Sequence, residues 1–200
     1  MAEPFTYGRR GIRGRFEDAE RELLRGLFRD VVALLEPDDT PEEDPLADLL
    51  GISPNATEPE DPALLRLLPS VSKDDGEEAR EFRRLTERSL RKSKAGALRA
   101  ASMGLESRDV LLDASGAEHW ATALTDVRLV LAERLAIHSE EDAERIHAVT
   151  DWSDVGDDDV DAYLALVYNF VTWLQTTLVD AMLTSYRAGK GSGHGTHGED

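Results

Sequence analysis

Between Val160 and Met182 apolar residues return every three or four positions: Val160, Leu164, Val167, Val171, Leu174, Leu178 and Met182. That is the repeat of one helix face. Tyr163, Leu166, Phe170 and Trp173 flank the stripe and widen its apolar arc. A helix from about Asp159 to Arg187 is predicted, and so wide an arc places it at the centre of a helical bundle. Gln175 interrupts the arc and needs hydrogen-bond partners there.

The same period recurs elsewhere. Leu23, Leu27, Val31 and Leu34 run beside Leu24, Phe28 and Leu35, predicting a helix over about Glu17–Glu36 that Pro37 ends. Asp44-Pro45 and Asp61-Pro62 each read as an N-cap followed by proline at the first helical position. The first would open a short helix that closes at Gly51, and the second one that Pro69 stops. Asp74 or Asp75 can cap a long helix to about Ser102. Another helix covers Glu118–Ile137, and Ser139 to Asp142 resembles a capping box before a short acidic helix. Phe5 and Tyr7 alternate before Gly8-Arg9-Arg10-Gly11, and Ile12, Gly14 and Phe16 alternate after it, which suits a small hairpin or a single strand.

The fold class is therefore mainly α: a compact helical bundle over residues 1–187, with a small N-terminal β-hairpin or strand. Within it, residues 37–61 form an acidic, proline-rich connector; from Glu36 to Asp61 there are ten acidic residues, five prolines and no basic residue. Residues 188–200 hold five glycines and are expected to be a disordered tail. The residues after Met1 lack a basic and then apolar leader pattern, and a cytoplasmic chain with no membrane partner is expected. The formal charge of −18 opposes unspecific attraction to nucleic acid or anionic lipid. With no cysteine, the chain has no disulfide, thiolate metal site or cysteine nucleophile. Arginine outnumbers lysine 19 to 4, a bias of GC-rich coding.

Polar residues at core positions are the candidate site. On the 118–137 helix, Trp120, Leu124, Val127, Leu131 and Leu135 define the inner face, with Ala123 and Val130 beside them. Arg134 falls within that arc, and Asp126 and Arg128 sit at its edges. A guanidinium directed inward needs a carboxylate, for which Asp180, Asp113 and Glu118 are candidates. Arg134 could alternatively snorkel to water. Asp126, Arg128, Arg134 and Gln175 thus form either a satisfied polar network that fixes helix register or a ligand site.

The long helix shows Phe82, Leu85 and Leu90 with Thr86, Ser89 and Ser93 on its expected inner face. Arg80, Arg84, Arg88, Arg91, Lys92, Lys94 and Arg99 make a basic outer face. That face is either solvated and balanced by the acidic stretches at 36–61 and 140–161, or an interaction face. DNA, with help from Arg9, Arg10, Arg13 and Arg15, and an acidic protein are the partners it would suit. No metal site or cofactor is expected. His194 and His197 lie in the glycine-rich tail, and His119, His138 and His147 match no ligand spacing. Asp157, Asp158, Asp159 and Asp161 lack the glycine and terminal glutamate of a calcium loop. No G-x-S-x-G, phosphate loop, dinucleotide fingerprint or H-E-x-x-H occurs, and no catalytic residue is assigned.

Several short runs taken together resemble a known family. They are Asp61-Pro62 with Arg66-Leu67-Leu68-Pro69, and Ala79 with Phe82-Arg83 and Leu85-Thr86. Trp120, Ala123-Leu124, Asp126, Arg128-Leu129, Leu131 and Arg134-Leu135 follow, then Leu174-Gln175 with Leu178-Val179. Over about residues 10–186 the chain is similar to the actinobacterial AosR-like family, long catalogued as a domain of unknown function. The resemblance implies a mostly helical cytoplasmic protein of the oxidative-stress response. It implies partnership with a stress sigma factor and support for cysteine-biosynthesis genes. The family's activating disulfide does not carry over to a chain without cysteine. The resulting expectation is a non-enzymatic regulator that binds the transcription machinery. The alternatives are a DNA-binding regulator using the 80–99 helix, or an adaptor or small-ligand module around Arg134 and Gln175.

Overall fold

A computed structural model describes residues 2–36, 59–69, 77–150 and 159–192 of the chain. The expected short helix at 44–51, most of the connector, the Asp74/Asp75 cap, Asp157, Asp158 and the tail histidines lie outside the described residues.

The N-terminus forms a hairpin, β1 (Glu3–Gly8) and β2 (Gly11–Arg15). Gly11 adopts φ +121, and a Cβ there would sit 2.5 Å from the Leu112 carbonyl oxygen, so the turn requires glycine. Six helices follow among the described residues. They are α1 (Asp18–Leu35), α2 (Pro62–Leu67), α3 (Glu77–Gly104), α4 (Ala114–Arg134), α5 (Glu140–His147) and α6 (Val160–Ser192). A third strand, β3 (Asp109–Leu112), lies between α3 and α4 and pairs antiparallel with β2, giving the order β1-β2-β3. Its register sets Ile12 against Leu112 and Arg15 against Asp109. Four residues carry too little alternation to reveal a strand. Only the partner β2 completes it.

Local chemistry fixes the ends. The Glu20 carboxylate accepts from the Glu17 N–H at 2.8 Å, and Asp61 accepts from the Ala63 N–H at 2.8 Å. α4 begins at Ala114 rather than the expected Glu118, because Asp113 caps it by accepting from the Gly116 N–H at 2.7 Å. It ends at Arg134, short of Ile137, where Ala136 takes φ 52. Ser139 and Asp142 close the expected capping box on α5. α6 continues to Ser192, beyond the expected stop at Arg187, so residues 188–192 are helical rather than part of a disordered tail.

The core centres on α4, which packs against α1, α2, α3 and α6. Trp120 stacks near-parallel on Phe16 and meets Phe5 and Phe28 edge-on, with centroids 5.4–5.8 Å apart. Each such pair adds about 0.5–1.5 kcal/mol beyond burial. α6 lies at the margin instead of the centre. Val167, Val171, Leu174 and Leu178 are buried, whereas Val160, Val179, Leu183 and Tyr186 are exposed. By length and composition alone α6 could cross a membrane, and its inner face packs on α4 and β1.

Candidate functional site

The inner stripe of α3 runs back from Leu105, just past its end, through Ala101 and Leu98, all buried, and then continues through Lys94, Arg91 and Glu87. Those three positions keep the three- and four-residue spacing of one face. The amino-terminal half of α3 is therefore polar inside, and the expected inner residues Phe82, Leu85 and Leu90 are 45%, 48% and 37% exposed. This reverses the sequence assignment of its faces. Periodicity there favoured large apolar residues, while the packing selects charged residues that can satisfy one another.

Arg91 Nε donates to Glu87 Oε1 at 2.8 Å, and its Nη1 donates to the Leu35 carbonyl at 3.0 Å, completing the end of α1. Arg83 Nη1 donates to Glu87 Oε2 at 3.4 Å. One turn onward, Lys94 Nζ donates to Asp126 Oδ1 at 2.5 Å. Asp126 is fully buried, and its Oδ2 accepts no hydrogen bond from a described residue. Burial pushes the Asp126 carboxyl up, against the downward pull of Lys94.

On the other side of α4, Arg128 donates to the Gln175 side-chain oxygen, and Gln175 Nε2 donates to Thr125 Oγ1 at 2.7 Å. The Arg128 guanidinium also lies 5.7 Å from the Tyr168 ring centroid. Gln175 thereby obtains the partners its position demands. Arg134 belongs to neither group. The last turn of α4 carries it outward, where its side chain is 48% exposed and its Nη2 lies 2.6 Å from Asp61 Oδ2. Asp180, Asp113 and Glu118, the carboxylates expected to receive it, are not its partners. Together with Arg66–Glu133 at 2.8 Å, the Asp61–Arg134 pair ties α2 to the end of α4. The Arg134 guanidinium holds the Asp61 carboxyl below its ordinary range.

The basic face divides as well. Arg91 and Lys94 turn inward, Arg88 is partly buried, Arg99 pairs with Glu36, and Lys92 is exposed; the Arg80 and Arg84 side chains lie outside the described residues. The outward side of α3 instead presents Phe82, Leu85 and Leu90. With Leu68 and Pro69 they line an open cleft of about 630 Å³, edged by Thr86, Ser89 and Ser93.

A family profile described as a domain of unknown function, DUF2017, matches residues 2–182. The chain belongs to the DUF2017 family. No curated protein and no solved structure matches this DUF2017 chain.

In this DUF2017 protein the four sequence-selected polar residues occupy three places rather than one. Asp126 faces α3, Arg128 and Gln175 join α4 to α6, and Arg134 holds α2. Sequence reasoning missed Glu87 and the role of Lys94, although extending the Leu98–Leu105 stripe backward reaches both. It also missed Asn169, whose Nδ2 donates to the Ile146 and Val149 carbonyls at 2.9 and 2.8 Å and so closes α5. Among the described residues no group of three His, Asp or Glu side chains could hold a metal ion.

Proposed function

We propose that this chain is a non-enzymatic cytoplasmic regulator of the AosR-like type. It acts through protein contacts with the transcription machinery, specifically a stress sigma factor, in an oxidative-stress or cysteine-metabolism response. One observation carries the reading: the exposed apolar face of Phe82, Leu85 and Leu90 beside Leu68 and Pro69. Apolar side chains grouped over polar inner ones suit a helix or loop of another protein. The resemblance in the Trp120–Leu135 run and at Leu174-Gln175 supplies the identity of that protein. Because the chain has no cysteine, the oxidative signal reaches it through the partner or through its own abundance.

The test is co-purification of the tagged protein with the stress sigma factor, comparing the parent with F82E/L85E. The parent retains the factor and the variant loses it at unchanged helical content. Thiol oxidants applied to the purified chain leave retention unchanged. Failure of the folded parent to retain any sigma factor or polymerase subunit overturns the reading. Direct DNA contact is a second reading, favoured by exposed Arg9, Arg10, Arg13 and Arg15 on the hairpin. It requires a mobility shift that weakens steeply between two salt concentrations.

A further inference from the structure

The outer face of α6 has a symmetry that its inner face lacks. Val179, Leu183 and Tyr186 are 41%, 47% and 61% exposed, and their 4–3 spacing keeps them on one stripe opposite the buried Leu174, Leu178 and Ala181. Asp180 and Arg187 lie along the other flank of Leu183, both exposed. A rise of about 1.5 Å per residue separates them by about 10 Å along the axis, too far to pair within one helix. Among the described residues neither side chain has an ion-pair partner.

We propose that this face pairs two copies of the chain, antiparallel, about a two-fold axis passing at Leu183. In that arrangement like flanks meet with their order reversed. Leu183 packs on its own copy, Val179 meets the copy's Tyr186, and Asp180 meets the copy's Arg187. One register satisfies all three relations, and the ion pair forms twice. Such self-complementarity is what a closed two-fold interface demands. A parallel pairing brings opposite flanks together and loses both ion pairs. A single helix pair lies at the small end of specific interfaces, so association is expected at a Kd on the order of tens of micromolar.

Analytical ultracentrifugation from one to several hundred micromolar tests the assembly. The parent is expected to dimerise, and D180R and R187D are each expected to weaken association tenfold or more. The charge-swapped D180R/R187D is expected to return within about threefold of the parent, by restoring two weak pairs. The cysteine-free sequence permits a second, positional measurement. Under oxidation, L183C on the axis should cross-link to itself, while T176C, which would face Lys190 of the copy, should not. A parent that stays monomeric throughout, a charge swap that fails to recover, or T176C cross-linking as well as L183C overturns the proposal.

Discussion

Lys94 and Asp126 meet across the α3–α4 contact with 2.5 Å between ammonium and carboxylate, and the aspartate is wholly removed from solvent. Two charges brought inside together cost less than either would alone. The attraction between them offsets the loss of hydration only while both are present.

Breaking the pair from one side should therefore be severe. Lys94→Met leaves a buried carboxylate unpaired and is expected to cost about 3–5 kcal/mol. Lys94→Met combined with Asp126→Leu should be less destabilising than Lys94→Met alone, since no charge remains to be compensated. Urea unfolding of the parent, both single variants and the double variant measures the coupling. Strict additivity of the two single effects would show that the residues do not depend on each other.

The same carboxyl gives stability an uncommon pH dependence. Burial raises its folded-state pKa above the unfolded value of about 3.9. A proton thus binds the folded state more tightly. The contribution is full below the unfolded pKa and is lost as pH rises through the folded one. Asp18 and Asp142, held down mainly by Arg108 and the Ser139 hydroxyl, and Asp61, held down mainly by Arg134, have the opposite sign. Their contributions are present above the unfolded value and fade as pH falls. Asp126→Asn should consequently cost more stability at pH 4 than at pH 7, relative to the parent. Unfolding midpoints at the two pH values check this, and a cost that grows toward pH 7 would reverse the assignment.

The helices were legible because their periods are long: the Trp120–Leu135 stripe and the Val167–Leu178 part of the α6 stripe are buried as spacing predicts, while Val160 at the start of α6 is exposed. Three of the placements that were not legible depend on distant partners or on where a helix ends. α3 chooses between two faces, one rich in Phe82, Leu85 and Leu90 and the other in Glu87, Arg91 and Lys94. Hydropathy favours the first, whereas the choice made depends on Asp126 and the Leu35 carbonyl, which are far away in sequence. Arg134 looked inward because a helical wheel has no end, and α4 does. β3 exists only through its pairing with Ile12 to Arg15 of β2, so nothing within Asp109–Leu112 announces it.

The hairpin turn offers a sharp contrast between two glycines three residues apart. An alanine at Gly11 would hold a positive φ and bring its Cβ within 2.5 Å of the Leu112 carbonyl oxygen, whereas at Gly8 the nearest atom is 4.0 Å away. Gly11→Ala is expected to destabilise by about 1–3 kcal/mol, and Gly8→Ala by less than about 1 kcal/mol. Because the clash falls on β3, amide exchange at Val110 and Leu112 should accelerate in Gly11→Ala alone. Equal effects of the two substitutions on stability and exchange would contradict the geometry of the turn.

Arg128 and Arg134, two turns apart on α4, test whether partners or position decide an arginine's worth. Arg128 loses its bond to Gln175 and its place over the Tyr168 ring when cut to alanine, and leaves the Gln175 oxygen without its donor. The expected cost is about 1.5–3 kcal/mol. Arg134 loses only a partly exposed pair with Asp61, its side chain being 48% and the aspartate's 31% accessible, which is worth about 0.2–1 kcal/mol. Raising the salt concentration should shrink the Arg134 effect and leave the Arg128 effect nearly unchanged, because screening reaches exposed pairs far more than buried ones. Thermal unfolding of the two alanine variants at low and high salt decides the matter. A larger cost for Arg134 than for Arg128 would return Arg134 to the core, where its position in the helical repeat first placed it.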